Sequence, residues 1–402
     1  MLKKVDYKDA REMLQVQRAV PKTETVGLCD AQGRIIAEDV TASLSIPPFD
    51  KSPFDGFAFR LSDVPGTLAL AGELPAGVSE LPFLKEKTAC RIYTGAPVPP
   101  GADGVIKFED CSCDGRQVTI GAFDPSNPNI IRKGENIAEG ELLVPRGIML
   151  GPAHLGVLAS QGIASVLVYR RPKALIINTG TELSEPGQPR RPYGIYNSSF
   201  YAISSYLKRM GFCVEHGGTL RDDPELIASA VDAGLASDAD IVMTTGGASV
   251  GDYDYALRAA EASGCSVLFR KVNMKPGGAL LAAERDGKVY AGLSGNPAAA
   301  VMSILFVLQP YLRRLTGECA EQRFVQAVLE NDMPKTGSAA RMLRGHALYR
   351  DGRLYFSEHE GRGNGDMASF INCDLIGIVP PGSPALKAGD IILALIPDPC
   401  LF

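Results

Sequence analysis

Asp240 to Leu257 reads Asp-Ile-Val-Met-Thr-Thr-Gly-Gly-Ala-Ser-Val-Gly-Asp-Tyr-Asp-Tyr-Ala-Leu. Ile241 to Thr245 is a short apolar and β-branched run, as a strand buried on both faces requires. Gly246 and Gly247 then break it, and without Cβ atoms they let the backbone turn sharply and approach a bound group. Ser249 offers a hydroxyl, and Asp252 and Asp254 offer carboxylates. A helix is expected from about Tyr253 to Ala262. Strand, glycine turn and helix together present backbone N–H groups to an anion. An ordinary βα turn with a helix cap would read the same way, so the neighbouring segments have to decide.

On both sides the hydrophobic period alternates. Strands are expected at 174–178, 212–216, 241–245 and 266–270, and helices at 197–210, 223–235 and 253–263. A hairpin is expected at Asp286-Gly287, followed by a helix from Pro297 to Arg314. That alternation predicts a mostly parallel sheet covered by helices. In such sheets, ligands bind outside the carboxyl ends of the strands. Those ends read Thr179-Gly180-Thr181-Glu182, Arg221-Asp222-Asp223-Pro224, the Gly246-Gly247-x-Ser249 turn, Lys275-Pro276-Gly277-Gly278 and Ser294-Gly295-Asn296-Pro297. Each alone has a structural reading. Asp222 or Asp223 before Pro224 is a helix cap, as is Asn296 before Pro297, and Lys275 could be a solvated surface lysine. Together they describe a cleft with backbone donors, a cation and several carboxylates. Carboxylates beside an anion site make sense if Mg²⁺ bridges them to phosphate oxygens. The expected ligand is a nucleotide or pyrophosphate.

The rest of the chain sets limits. Its 402 residues predict two to four domains. A hydrophobic content of 45% and a charged content of 22% suit a soluble globular protein. The net charge of −5 gives no whole-chain case for nucleic acid. The four histidines form no HxxxH or HxH cluster, so a His-based metal centre is not expected. The nine cysteines are scattered, and Cys111-Ser-Cys113 lacks the spacing of common zinc sites, so reduced thiols in a cytoplasmic protein are expected. The opening Met-Leu-Lys-Lys puts charge where a signal peptide needs an apolar core. The apolar run Ala298 to Leu308 ends at Gln309-Pro310, too short to span a bilayer.

Upstream, residues 6–18 have helical periodicity, and 65–145 read as a small β region with a strand at 90–94 entering Gly95-Ala96-Pro97. The loop Leu44 to Ala58 carries three prolines and three phenylalanines. The prolines exclude regular structure and the aromatics predict burial, so Asp50 and Asp55 should be hydrogen-bonded or face a cavity. Asp55-Gly56 could alternatively be a hairpin turn. Arg132-Lys133-Gly134-Glu135 is either a solvated turn or an anion-binding arm.

With these residues on the page, the chain resembles the MoeA/gephyrin E-domain family of molybdopterin molybdenumtransferases nearly end to end. Phe49-Asp50-x-Ser52-x-x-Asp55-Gly56, Thr94-Gly95-Ala96-Pro97, Arg132-x-Gly134-Glu135, Thr179-Gly180-x-Glu182, Arg221-Asp222-Asp223-Pro224, Gly246-Gly247-x-Ser249-x-Gly251-x-x-Asp254-Tyr255, Lys275-Pro276-Gly277 and Gly295-Asn296-Pro297 occur in the family's order. The resemblance implies a multidomain α/β fold. Its parts would be a discontinuous elongated domain (1–45 and 137–171), an inserted β domain (46–136), a three-layer, MogA-like α/β domain (172–318) and a C-terminal β barrel (319–402). It implies a homodimer in which Asp55 and Thr94 of one subunit face the cleft of the other. The implied reaction takes adenylylated molybdopterin and molybdate, releases AMP with Mg²⁺, and leaves molybdenum on the dithiolene. A MogA-type adenylyltransferase would be the partner, with no role for nucleic acid or membrane. Carried over by position, Asp55, Glu182, Asp222, Asp254 and Lys275 are catalytic, with Glu182, Asp222 and Asp254 on the metal. Thr94, Arg132, Thr179, Gly180, Gly246, Gly247, Ser249, Ser294, Gly295, Asn296 and Pro297 bind substrate, and Lys275 faces the oxyanion.

The chain also departs from the family pattern. Lys-Pro-Gly-Lys-Pro is Lys275-Pro276-Gly277-Gly278-Ala279 here, a serine is lost at Ala299, and the late Gly-Ser motif is replaced around Gly361-Arg362-Gly363-Asn364. Charge-assisted contacts are worth roughly 1.5–3 kcal/mol each. The nucleotide half of the site is therefore expected intact and the oxyanion half altered, with Lys51, Arg341, Arg344 or Arg362 as replacement cations. A phosphohydrolase resembling competence-damage proteins and a non-catalytic dimeric scaffold are the alternatives.

Overall fold

The computed structural model describes residues 4–247, 254–319, 321–335, 337–359, 363 and 365–397. Ile241–Thr245 lies inside a six-stranded sheet in the order Cys213–Leu220, Lys173–Thr179, Ile241–Thr245, Lys288–Leu293, Leu280–Arg285, Ser266–Phe269. The first four strands are parallel, and the last two add antiparallel neighbours. All five residues of Ile241–Thr245 are buried, which explains its uninterrupted apolar character. Successive side chains alternate faces. Ile176 and Met243 join a core with the helices Ser199–Arg209 and Pro297–Ser303, while Ile177 and Val242 join one with Pro224–Ala236 and Tyr255–Ala262. The result is three layers.

Two expectations change here. The strand expected at 212–216 runs to Leu220, because Gly217-Gly218 continues it instead of ending it. That extension carries Arg221 and Asp222 to the strand-end rim. The helix expected from Pro297 to Arg314 forms, and its length changes the second expectation, that the apolar run is too short for a bilayer. Pro297–Ser303 passes through a π turn, Ile304–Leu308, into Gln309–Thr316. Pro310 falls in the first turn of the last segment, where its missing N–H costs little. Pro297–Thr316 is thus one helix of 20 residues, and among the described residues it alone is long and apolar enough to cross a membrane. Its apolar window is 78% buried within the protein, as a core helix would be.

A second six-stranded sheet spans residues 56–120. Gly56 opens the strand Gly56–Phe59 opposite Lys107, so Asp55-Gly56 is a strand entrance and not a hairpin tip. A Cβ on Gly56 would lie 1.8 Å from the Ile106 carbonyl oxygen. Gly56→Ala is therefore expected to cost about 3 kcal/mol, as overpacking against backbone does, read as a lower melting temperature. Burial of the loop's aromatics holds fully only for Phe57. Phe49 is 43% exposed, and Phe54 packs under the Lys107 ammonium at 4.3 Å.

The helix Tyr7–Gln15 packs on the three-layer unit, with Leu14 in its core and the Tyr7 ring edge-on to Phe306. Thr23–Gly27 pairs with Ser165–Tyr169, and Val40–Thr41 with Leu142–Val144, so separated segments share one small core. Toward the C-terminus, five strands close on themselves: Arg323–Leu329, Ile391–Ile396, Leu375–Val379, Ala340–Arg350 and Arg353–Glu358. Met274–Lys275 pairs in parallel with Ala340 and Arg341, stitching this barrel to the three-layer unit beside Lys275.

Candidate functional site

At the carboxyl ends of the parallel strands lies a cleft of about 410 Å³, lined by residues that include Thr179, Gly180, Glu182, Asp222, Gly246, Gly247, Ser294 and Gly295. Sequence reasoning named all eight. Its floor is backbone. Gly246 has φ +93°, and a Cβ there would meet the Thr179 carbonyl oxygen at 2.3 Å and Thr179 Oγ1 at 2.6 Å. Only glycine permits that turn without strain. The floor is laced together by the Thr179 hydroxyl, which donates to the Thr245 carbonyl at 3.1 Å, and by Asn178 Nδ2, which donates to Thr245 Oγ1 at 2.6 Å. Ser199 and Tyr255 also line the cleft. Ser199, whose hydroxyl donates to the Gly295 carbonyl at 3.3 Å, was not anticipated, because nothing local marks it.

The paired aspartates divide their roles. Asp223 caps the helix Pro224–Ala236, accepting from the N–H groups of Glu225 and Leu226. Asp222 turns to the cleft and accepts from the Thr181 N–H at 3.1 Å and its hydroxyl at 3.3 Å. The Glu182 carboxylate stands over Gly180, where a Cβ would approach both of its oxygens to 2.9 Å. Asn296 caps the next helix through Ala299 N–H, with Pro297 in the first turn.

The remaining candidates lie elsewhere. Lys275 is exposed and lines a separate small pocket of about 60 Å³ with Arg341, Arg344, Glu358, His359 and Ser369. Arg344 is 7% exposed, with its guanidinium over the Phe370 ring at 5.4 Å. Burial pushes the Glu358 carboxyl up, against the pull of Arg341 and Arg344. The two pockets are joined by the turn 276–279, since Ala279 lines the cleft. Within that turn a Cβ on Gly278 would sit 2.6 Å from the Met274 carbonyl oxygen and 2.8 Å from that of Val272. The backbone here leaves no room for a side chain at this position.

Asp254 is 6% exposed. It caps Tyr255–Ala262 through Leu257 N–H and accepts from Arg270 Nε at 2.8 Å. It does not line the cleft, and sequence gave no sign of its pairing with Arg270. Ser249 falls outside the described residues, as do Asp252 and Arg362. Asp55 is exposed in this single chain and accepts from the Thr94 N–H and hydroxyl, both at 2.8 Å. Those two bonds hold its carboxyl below the usual range. Asp50 accepts from Lys133 N–H at 2.8 Å and Arg132 Nη1 at 2.7 Å. Burial raises its pKa, but these bonds outweigh it and the net shift is downward. Arg132 is therefore ion-paired to the Leu44–Ala58 loop of its own chain.

No group of three or more His, Cys, Asp or Glu side chains able to hold a metal occurs among the described residues. Zinc, which takes three or four protein ligands, finds no such set among the described residues. Mg²⁺ does fit, since it is held by one or two carboxylates plus waters and substrate phosphates, and Glu182 and Asp222 supply two carboxylates in one cleft.

Fold and cleft together define a multidomain α/β protein with a glycine-floored pocket at the strand ends. Comparison with known proteins narrows this. Residues 5–162 match the MoeA N-terminal region (domain I and II), and residues 175–314 match the probable molybdopterin binding domain. The molybdopterin molybdenumtransferase of Staphylococcus epidermidis is 30% identical over 98% of this chain and 96% of its own length. That of a Nostoc species is 31% identical over 93% and 88%. The crystal structure of a molybdopterin biosynthesis MoeA protein from Pyrococcus horikosii superposes with a TM-score of 0.84 at 28% identity, covering 98% of this chain and 99% of that one. The chain belongs to the MoeA family of molybdopterin molybdenumtransferases.

Proposed function

We propose that this chain is a molybdopterin molybdenumtransferase of molybdenum cofactor biosynthesis, taking adenylylated molybdopterin and molybdate and releasing AMP. The observation that carries this reading is the convergence of the Gly246-Gly247 backbone turn with the Glu182 and Asp222 carboxylates in one cleft. The glycine turns receive the pyrophosphate and pterin ends of the substrate through backbone N–H groups. Bound between the two carboxylates and the substrate, Mg²⁺ would neutralise the charge that develops on the departing phosphate. Water added across the P–O–P bridge frees AMP and leaves the other phosphate on the pterin, while the two dithiolene sulfurs displace molybdate oxygens, which leave as water, so that molybdenum stays on sulfur. Molybdate belongs in the Lys275 pocket, where Arg341 and Arg344 supply the positive charge that Gly278 cannot. On this reading the oxyanion half of the site is rebuilt from the barrel.

The four-domain division at 45/46, 136/137, 171/172 and 318/319, the cytoplasmic setting and a MogA-type donor of the adenylylated pterin belong to the same proposal. So does the homodimer. Asp55 and Thr94 do not line the cleft of their own chain, which fits their reaching it from a second subunit. Asp55→Ala is expected to lower turnover about 100-fold, in the range of a lost preorganised contact, while the dimer stays folded. Mixing Asp55→Ala with Asp222→Ala chains should restore turnover that neither variant has. No restoration, with mixed dimers demonstrated, would contradict the two-chain site.

AMP release from adenylylated molybdopterin tests the reaction. Release that requires both Mg²⁺ and molybdate supports it. Release indifferent to molybdate points to a phosphohydrolase, and no release points to a scaffold.

A further inference from the structure

Glu185 lies outside the cleft, yet its Oε1 accepts from Asn197 Nδ2 at 2.9 Å and from Thr219 Oγ1 at 2.5 Å. Asn197 Nδ2 also reaches Thr219 Oγ1 at 3.3 Å, and its Oδ1 accepts from Phe200 N–H at 3.2 Å. Asn197 is fully buried. Burial pushes the Glu185 carboxyl up, but the bonds from Asn197 and Thr219 and the nearby His216 bring it below the usual range.

This knot ties two loops together. Residues 181–198 form a lobe that carries Glu182, closed by Ile195 N–H to the Glu182 carbonyl at 3.0 Å and Asn197 N–H to the Ser184 carbonyl at 2.9 Å. Thr219 lies on the strand Cys213–Leu220, which leads directly into Asp222. On the cleft side the lobe is tied to that strand end through Thr181 and Asp222. On the far side the tie is Glu185 to Thr219. With both made, the lobe cannot swing about a single point of attachment.

We propose that Glu185 is a positioning residue that fixes the separation of the Glu182 and Asp222 carboxylates and so sets the affinity of the cleft for a divalent cation. This rests on the reading of that carboxylate pair as the Mg²⁺ site. A carboxylate that touches neither metal nor substrate then controls metal affinity through the lobe, as groups behind metal ligands commonly do.

The test uses the full-length protein and Mn²⁺ alone as the probe, with free Mn²⁺ followed by electron paramagnetic resonance. Glu185→Ala is expected to weaken Mn²⁺ binding about 10- to 100-fold. Glu185→Gln should restore most of it, because its carbonyl oxygen accepts the same two bonds. Amide hydrogen exchange across 181–198 should accelerate in the alanine variant and not in the glutamine variant. Thr219→Val, which removes one bond and leaves the lobe sequence intact, should fall between them and serves if the alanine variant does not fold. Wild-type affinity in Glu185→Ala or Thr219→Val, or glutamine as damaging as alanine, overturns the proposal. Unchanged Mn²⁺ affinity in the Glu182→Ala/Asp222→Ala double variant overturns the metal-site reading itself. Loss in that double variant with none in Glu185→Ala overturns only the positioning role.

Discussion

Gly246→Ala is expected to weaken binding of adenylylated molybdopterin by about 100-fold or more, equivalent to about 2.7 kcal/mol. Two penalties combine. At φ +93° any side chain is strained, and the added carbon would lie 2.3 Å from the Thr179 carbonyl oxygen. Residues held in such regions cost about 1–3 kcal/mol even before a clash. The nearest obstructing atom is the backbone oxygen of Thr179, at the buried end of the strand Lys173–Thr179, so it cannot move aside as a flexible side chain would. Relief must come from the turn, and the turn is the floor of the cleft. The strand Ile241–Thr245 keeps its pairing on both sides, so the fold should survive. Titration of the variant with the adenylylated pterin, beside a melting curve, separates the two effects. Binding within threefold of wild type would show that the phosphates do not rest on this turn.

Lys275→Ala is expected to raise the molybdate concentration for half-maximal AMP release about 10- to 100-fold, as loss of one charge-assisted contact does. Affinity for the nucleotide should stay unchanged, because Lys275 lies in the neighbouring pocket with Arg341 and Arg344 and does not line the cleft. Its side chain is exposed, so folding should tolerate the loss. Lys275→Arg should recover part of the effect by restoring the charge. Kinetics in which nucleotide and molybdate affinity fall together would mean that the two pockets are one site.

Local patterns carried much of the fold. Ile241–Thr245 and the helix Pro224–Ala236 run where periodicity and end signals put them. Errors arose where tertiary packing overrides a local signal. Gly217-Gly218 reads as a stop but continues a strand beside Lys173–Thr179. Gln309-Pro310 reads as the end of an apolar run too short for a bilayer, but the helix carries on through it to Thr316 by way of a π turn. Apart from Ser199, the polar and glycine residues of the cleft were legible because they follow recognisable strands. What the sequence could not reveal is which of them meet. Lys275 is drawn to the barrel by pairing with residues about 65 positions downstream, a separation no local rule anticipates. Likewise Asp254 reads as a free carboxylate, and only its packing against the strand-end Arg270 shows it engaged.

On the proposed function, the strand-end cleft holds the phosphorylated pterin with its dithiolene turned toward the Lys275 pocket. A crystal structure with adenylylated molybdopterin bound tests this most directly. The account predicts the pyrophosphate against the Gly246-Gly247 backbone, between Glu182 and Asp222, with the sulfurs at the 276–279 turn. Substrate bound in any other cavity, with this cleft filled only by solvent, would contradict it.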